Sequence, residues 1–165
     1  MYDKFMDTLS TEDELERLQQ YCNDLNFRVG NTNMAIKHSK AGGNTYMYYI
    51  EKPTLNDLVG VQHATELPYL FDNPFNHFGE IFTPKECEFR HEIKEMWINF
   101  AKTGNPSSKK HEWTKFSDDN RQTMVFSDEI GMQKDILGRR EDLMMSWLSD
   151  LKMKLQNVLV NLFVE

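Results

Sequence analysis

The chain has 165 residues, a formal net charge of -7 and a sequence pI near 5.3. This length allows one domain with a hydrophobic core, or part of a larger domain. The acidic balance argues against a nucleic-acid partner, because nucleic-acid binders normally present a basic face that releases counterions.

The positions of the cysteines and the hydropathy of the chain argue against several other classes of protein. Cys22 and Cys87 form neither a C-x-x-C pair nor a Cys/His metal spacing, so we expect two reduced thiols and no metal site. Residues 1–11 contain acids and no apolar core, unlike a secretory signal. The apolar run 158–164 is far shorter than the ~20 residues that cross a bilayer. We therefore expect a cytoplasmic protein with no membrane contact and no cofactor.

Two helices are predicted at the start of the chain. The first covers 11–22 and opens with a capping box, in which Thr11 is followed by Glu14. The second passes through Met34 and ends at Gly42-Gly43, where glycine can adopt the left-handed conformation that closes helices. Because these glycines precede a strand and do not open a helix, they do not predict a phosphate site.

The segment 44–50 predicts a strand, because it is rich in aromatic and β-branched residues at both parities. Such a pattern is typical of a strand that is buried on both faces. A helix followed by a buried strand is half of an α/β unit, whose ligands bind beyond the carboxyl ends of the strands. His63 follows Ile50 on that side of the predicted sheet.

The clearest helix signal is the sequence Thr83-Pro84-Lys85-Glu86. It supplies an N-cap hydroxyl, a proline at the first helical position and a glutamate three residues after the cap. Gly104 and Pro106 end this helix. Its apolar face comprises Phe89, Ile93, Met96, Trp97 and Phe100.

The C-terminal third predicts a hairpin and a final helix. Two short runs, 113–116 and 123–126, flank a polar turn and predict a small antiparallel hairpin at the sheet edge. A last helix is predicted from near Asp135 to the end. Its apolar residues alternate spacings of three and four, which predicts an oligomerisation helix over 148–165. This apolar seam comprises Leu148, Leu151, Leu155, Val158 and Leu162.

One histidine stands out by its context. Gly60, His63 and Glu66 form the pattern Gly, two variable residues, His, two variable residues, Glu. A histidine between a chain-reversing glycine and an amphipathic run can carry protons, because its pKa lies near neutrality. The other histidines have no paired ligand spacing, and we expect them to be surface side chains. They are His38, His77, His91 and His111.

Several motifs together resemble the C-terminal part of the type B carboxylesterase/cholinesterase family of α/β-hydrolases. They are Tyr46–Tyr49, Gly60–Phe71, Trp97–Pro106 with Trp113, and Arg139 to Trp147. The resemblance implies an α/β fold, mostly helical, with one central strand and a small edge hairpin. It implies a single partial α/β-hydrolase domain over residues 1–165.

The resemblance also implies roles for the histidine motif. His63 matches the catalytic histidine, which acts as general base because a serine hydroxyl is a poor nucleophile until its proton is removed. Gly60 and Glu66 occupy supporting positions. We expect Glu66 to be a hydrogen-bonding side chain or a helix cap, since the family's triad acid lies upstream.

The nucleophile is missing from this pattern. G-x-S-x-G occurs nowhere in the chain, and none of its eight serines is framed by two glycines. We therefore expect the C-terminal portion of a carboxylic ester hydrolase, inactive by itself, whose partner is a complementary N-terminal esterase segment. A carboxylic ester would be the substrate of the complete enzyme only. The alternatives are a non-catalytic module that forms homo-oligomers, and a broken reading frame without a selected function.

Overall fold

The chain folds into two compact units in the computed structural model. The structure describes residues 2–9, 11–52, 61, 63–72, 82–136 and 138–164, without the side chains of Tyr2, Arg139 and 155–164. The helical unit comprises Met1–Lys37 and Ile136–Glu165, and the sheet unit comprises His38–Asp135. No helix among the described residues has the length and apolar character needed to cross a membrane.

Helices predominate over strands among the described residues. In chain order the elements are α1 (Tyr2–Met6), α2 (Glu14–Asn23), a π-helical turn (Asp24–Arg28), α3 (Val29–Lys40), β1 (Met47–Ile50), α4 (Leu67–Leu70), α5 (Pro84–Thr103), β2 (Gln122–Phe126), β3 (Gly131–Lys134) and α6 (Arg139–Val164). The predicted α/β class is confirmed.

The two N-terminal helices are confirmed, with a different start for the first. The Asp13 side chain accepts a hydrogen bond from the Glu16 N–H at 2.8 Å and caps α2, so the helix does not begin at Thr11. A carboxylate is as good a cap as a hydroxyl and also complements the helix dipole. The π-helical turn joins α2 to α3, and Gly42 follows α3 with φ 85°, as predicted.

The leucines at helical spacing in α2 do not belong to the core of the helical unit. Leu15 and Leu18 are 66% and 47% exposed, and α2 contains no buried residue. Tyr21 instead meets Phe5 edge-on at 5.1 Å between ring centroids. The buried residues are Phe5, Met6, Val29 and Met144, with Leu9, Tyr21, Leu25 and Met145 packed around them.

A buried carboxylate connects the π-helical turn to the start of α6. Asp24, whose side chain is 2% exposed, accepts a hydrogen bond from Arg28 Nη1 at 2.7 Å. Its second oxygen lies 3.6 Å from Arg140 Nε. Arg140 also donates to Gln20 Oε1 at 2.6 Å. A charge this deeply buried is tolerated only when it is paired.

The sheet unit contains three strands in the order β1-β2-β3. β1 pairs with β2 in parallel, with Met47 opposite Thr123. β2 pairs with β3 in an antiparallel hairpin, with Val125 opposite Gly131. The predicted partner of β2 is therefore wrong, because 113–116 is not a strand. β2 is also the middle strand of the described sheet, with β1 and β3 at its two edges.

Long-range hydrogen bonds explain why 113–116 does not form the hairpin. The Trp113 indole N–H donates to the Met47 carbonyl at 3.2 Å, and the Phe116 N–H donates to the Thr45 carbonyl at 2.8 Å. This segment is thus attached near the start of β1. The Asn120 side chain accepts from the N–H groups flanking the intervening turn, which satisfies them without a strand partner.

β1 is less buried than its sequence predicts. One face of β1 packs against the aromatic core with the side chains of Tyr48 and Ile50, and Tyr46 just before the strand packs there too. On this face, Trp97 of α5 contacts Tyr48 at 5.0 Å between ring centroids. The residues of opposite parity, Met47 and Tyr49, are only half-buried. Tyr48 itself is 41% exposed. No residue of β1 is therefore fully buried on either face of the strand.

α5 confirms the sequence prediction at both ends. The Thr83 hydroxyl accepts from the Glu86 N–H, and the Glu86 carboxylate accepts from the Thr83 N–H, which completes the capping box. Gly104 ends the helix with φ 72°. The buried core of the sheet unit comprises Tyr69, Phe82, Phe89, Ile93, Met96, Trp113, Met124 and Phe126.

Removing the Asp24 carboxylate should destabilise the helical unit strongly. Asp24→Ala leaves Arg28 and Arg140 without their buried counter-ion, which we expect to cost about 3–5 kcal/mol. Urea unfolding followed by far-UV circular dichroism measures the loss. The matched control is Asp128→Ala, because that carboxylate also contacts two cations, but its side chain is 66% exposed. Equal losses in the two variants would contradict the role assigned to Asp24.

Candidate active site

His63 lies in a turn formed by residues 63–66, which leads into α4. The turn is closed by a hydrogen bond from the Leu67 N–H to the Ala64 carbonyl at 3.1 Å. Ala64 adopts φ 65°, a left-handed conformation that is uncommon for a residue with a Cβ. His63 is exposed, so the turn presents its imidazole to the surface. Gly60 lies outside the described residues.

Buried side chains anchor the residues that follow His63. Thr65 is 1% exposed, and Pro68 and Tyr69 are also fully buried. The Tyr69 ring stacks on Phe82 at 5.3 Å and meets Phe89 edge-on at 5.0 Å. Burying a ring of this size stabilises the segment by about 1.5–3 kcal/mol. The turn is therefore fixed to the core of the sheet unit immediately below the exposed histidine.

Glu66 is joined to β1 by a side-chain hydrogen bond. It occupies the N-cap position of α4, but its side chain makes no capping hydrogen bond. Its Oε1 accepts from the Tyr48 hydroxyl at 3.0 Å. Burial raises the pKa of Tyr48, and the charge and hydrogen bond of Glu66 raise it further. The Tyr48 hydroxyl consequently remains a donor well above neutral pH. A supporting catalytic role for Glu66 stays a prediction.

Exposed apolar side chains flank His63 along the chain. Val61 and Leu67 are 40% and 41% exposed, and Phe71 is 74% exposed. Tyr48, the partner of Glu66, is exposed to a similar extent as Leu67. Large apolar residues that are exposed close together in the chain are consistent with a surface that contacts another polypeptide or a ligand.

The serines of the sheet unit with described hydroxyl contacts stabilise local turns. Ser107 Oγ accepts from the Trp113 N–H, and Ser108 Oγ accepts from the His111 N–H. Ser117 Oγ accepts from the Asn120 N–H, and the Ser127 hydroxyl donates to the Glu129 carbonyl. None of these residues begins a helix after a strand, as a nucleophile elbow requires. The described residues also contain no group of three or more His, Cys, Asp or Glu suited to a metal ion.

His111 is more than the surface side chain that its sequence context predicts. Its Nε2 lies 2.8 Å from Glu92 Oε2, and Lys110 Nζ donates to Glu92 Oε1 at 2.6 Å. Burial by itself would raise the pKa of Glu92, but the hydrogen bonds from Lys110 and His111 outweigh it and lower this pKa. His111 is half-buried and fastens its loop to α5.

The remaining histidines are consistent with structural or surface positions. His38 is exposed and its Nδ1 lies 2.8 Å from Thr45 Oγ1, while its ring leaves no space for a Cβ at Gly43. His91 is exposed on α5. His77 lies outside the described residues.

Sequence reasoning missed Tyr48. In the sequence, Tyr48 is one of several aromatic residues in a predicted strand. No neighbouring residue indicates its contact with Glu66, which is 18 positions away. Its place in the strand gave no signal either, because Tyr48 is the second of the four residues of β1 and does not lie at the carboxyl end, where ligands bind.

Comparison with known proteins identifies the family. A family model described as "Carboxylesterase family" matches residues 1–143. Acetylcholinesterase 1 of Caenorhabditis briggsae is 32% identical over 115 residues, covering 67% of this chain and 18% of that protein. The para-nitrobenzyl esterase of Bacillus subtilis (strain 168) is 32% identical over 91 residues, covering 53% of this chain and 18% of that protein.

Solved structures agree with this assignment. A PNB esterase structure superposes with a TM-score of 0.70 at 27% identity, covering 78% of this chain and 27% of its own. The Geobacillus stearothermophilus carboxylesterase gives a TM-score of 0.71 at 20% identity, over 85% of this chain and 30% of its own, which shows a common fold. The chain spans 18% of the length of the curated relatives described above. It belongs to the carboxylesterase family, and its fold is part of the α/β-hydrolase fold of these esterases.

Proposed function

We propose that this chain contributes the general base of a carboxylic ester hydrolase. His63 would accept the proton of a serine that lies on a complementary esterase segment. The observation that carries this proposal is the presentation of His63, exposed on a turn whose neighbouring residues Thr65 and Tyr69 are buried in the sheet unit. Membership of the carboxylesterase family supports the choice of reaction.

In the proposed reaction, His63 would carry the proton in two steps. His63 removes the proton from the serine Oγ as that oxygen attacks the ester carbonyl, and then returns the proton to the departing alcohol. A carboxylate from the other segment would hold the second ring nitrogen in the correct tautomer. Backbone N–H groups of that segment would stabilise the developing oxyanion.

The chain by itself should be inactive, because it carries the base without the nucleophile elbow. General base catalysis contributes only about 10²–10⁴-fold, and it needs a positioned nucleophile to act on. The exposed side chains of Val61, Leu67 and Phe71 support contact with a second polypeptide around His63. A cytoplasmic location belongs to the same proposal.

The proposed function is tested by complementation. The part of the Bacillus subtilis para-nitrobenzyl esterase that this chain does not match is produced separately and mixed with the chain, and p-nitrophenyl acetate hydrolysis is measured. We expect turnover above that of either component. His63→Ala should lower this turnover by at least about 100-fold, since it removes the general base.

His91→Ala is the matched control, because it removes another exposed histidine, on α5, and should leave the turnover unchanged. Turnover by the chain alone that disappears in His63→Ala would contradict the need for a second segment. Turnover of the mixture that survives His63→Ala would contradict the role of His63.

The stability of the turn that presents His63 should depend on Ala64, which adopts a left-handed backbone conformation. Ala64→Gly removes a Cβ at φ 65° and should raise the free energy of unfolding by up to about 1 kcal/mol, whereas Ala64→Val should lower it. Ala101→Gly is the matched control, because Ala101 lies within α5, where glycine costs about 0.5–1 kcal/mol. The two glycine variants should therefore shift thermal unfolding in opposite directions. A lower melting temperature for Ala64→Gly would contradict the left-handed assignment.

The second candidate function is a non-catalytic module that forms homo-oligomers through α6. α6 extends over Arg139–Val164 and starts after the predicted position near Asp135. Leu148 and Leu151, which begin the predicted apolar seam, are 36% and 38% exposed. Dimerisation along α6 would cover them.

Light scattering at micromolar concentration tests this second candidate. The wild-type chain should be dimeric, and Leu151→Glu should be monomeric, because a charge in the seam opposes apolar packing. Met153→Glu is the matched control, since Met153 is 54% exposed and lies off the heptad positions of the seam. A monomeric wild-type chain would contradict oligomerisation.

A further inference from the structure

The segment 63–72 is held by the sheet unit at three points. At its end, Asp72 contacts Lys94 Nζ at 2.5 Å and Arg90 Nη1 at 3.0 Å. In its middle, Tyr69 packs in the aromatic core. Near its start, Glu66 accepts the hydrogen bond of Tyr48. All three attachments are made within this chain.

Of these three attachments, the one at Glu66 lies nearest to His63 in the chain, next to the buried Thr65. Glu66 is the last residue of the turn that His63 begins, and the next residue, Leu67, closes that turn by bonding to Ala64. A displacement of Glu66 would therefore also move His63, because both residues belong to the same turn. Asp72 lies beyond α4, and its side chain is 51% exposed, so solvent screens its ion pairs.

Tyr48 is well suited to hold Glu66, because its own ring is fixed. Three core rings contact it edge-to-face, at centroid distances of 5.0 Å for Trp97, 6.1 Å for Phe126 and 6.4 Å for Trp113. Its backbone belongs to β1, which is paired with β2. A phenol has two side-chain torsions, so little rotamer freedom remains once the ring is packed.

We propose that Tyr48 is a positioning residue, whose hydroxyl fixes Glu66 and thereby the turn that presents His63. This inference rests on the proposed function, in which His63 is the general base. Tyr48 does not contact the reacting atoms in this assignment. It links the aromatic core to the turn, so that the imidazole is placed before a serine-bearing segment associates.

The test compares Tyr48→Phe with Tyr46→Phe in the whole chain. Both changes keep the ring and remove one hydroxyl from the same aromatic cluster, in which Tyr46 contacts Trp113 at 6.3 Å. Two readouts are used: the NMR resonances of the His63 ring, and the hydrogen exchange of the Leu67 amide. Tyr48→Phe should shift the ring resonances and speed the exchange by about 5-fold, as expected for one lost hydrogen bond. Tyr46→Phe should change neither.

Variants of Glu66 provide a second measurement that keeps Tyr48 intact. Glu66→Gln retains a carbonyl acceptor and should behave as wild type, whereas Glu66→Ala should reproduce the effect of Tyr48→Phe. Combining Tyr48→Phe with Glu66→Ala should add nothing further, since both remove the same bond. If Tyr48→Phe fails to fold, the proposal is tested by comparing the His63 resonances and the Leu67 amide exchange of Glu66→Gln with those of Glu66→Ala. Unchanged His63 resonances in Tyr48→Phe and in Glu66→Ala would overturn the proposal.

These readouts separate the inference from the proposed function. They are made on the chain alone, so they decide the role of Tyr48 even if complementation yields no esterase. In a complemented enzyme, Tyr48→Phe should lower kcat and leave KM unchanged, because it displaces the base and not the ester. A rise in KM with kcat unchanged would overturn the assignment of Tyr48 to His63 positioning.

Discussion

The sheet unit depends on the indole of Trp113, which joins two strands and a helix. Trp113 is 5% exposed and donates to the Met47 carbonyl of β1. Its ring also contacts Phe126 of β2 at 5.5 Å and Trp97 of α5 at 6.0 Å. A single buried side chain therefore sets the distance between β1 and α5. Tyr48 contacts the same rings, so the placement of the histidine turn follows from the packing of this cluster.

Local sequence signals predicted the helix ends well, because their physics is local. The capping box at Thr83 and the left-handed Gly104 bound α5 as expected, and Gly42 follows α3. Each of these features involves hydrogen bonds within four residues. Where two caps competed, at Thr11 and Asp13, the sequence could not rank them, since both side chains can accept the same class of backbone donor.

Long-range contacts decided what the sequence could not predict. Trp113 and Met47 are 66 positions apart, and their hydrogen bond removes 113–116 from the predicted hairpin. Periodicity within a segment says nothing about which other segment will satisfy its backbone. The resemblance to esterases predicted His63 as a site residue, but Tyr48 could be assigned to Glu66 only after β1 and the turn were placed together.

When a catalytic centre is divided between two segments, affinity depends on how well the segment that carries the base is ordered before association. Association has to order every loose group in the site, and each ordered side chain costs about 0.5–1.5 kcal/mol of binding free energy. Here the residues next to His63 are already ordered, by burial of Tyr69 and by the bond between Tyr48 and Glu66. Under the proposed function, these residues would need no further ordering when the two segments associate. Under the same proposal, the aromatic core would lower the entropic cost of forming the active complex, because it orders the histidine turn before assembly.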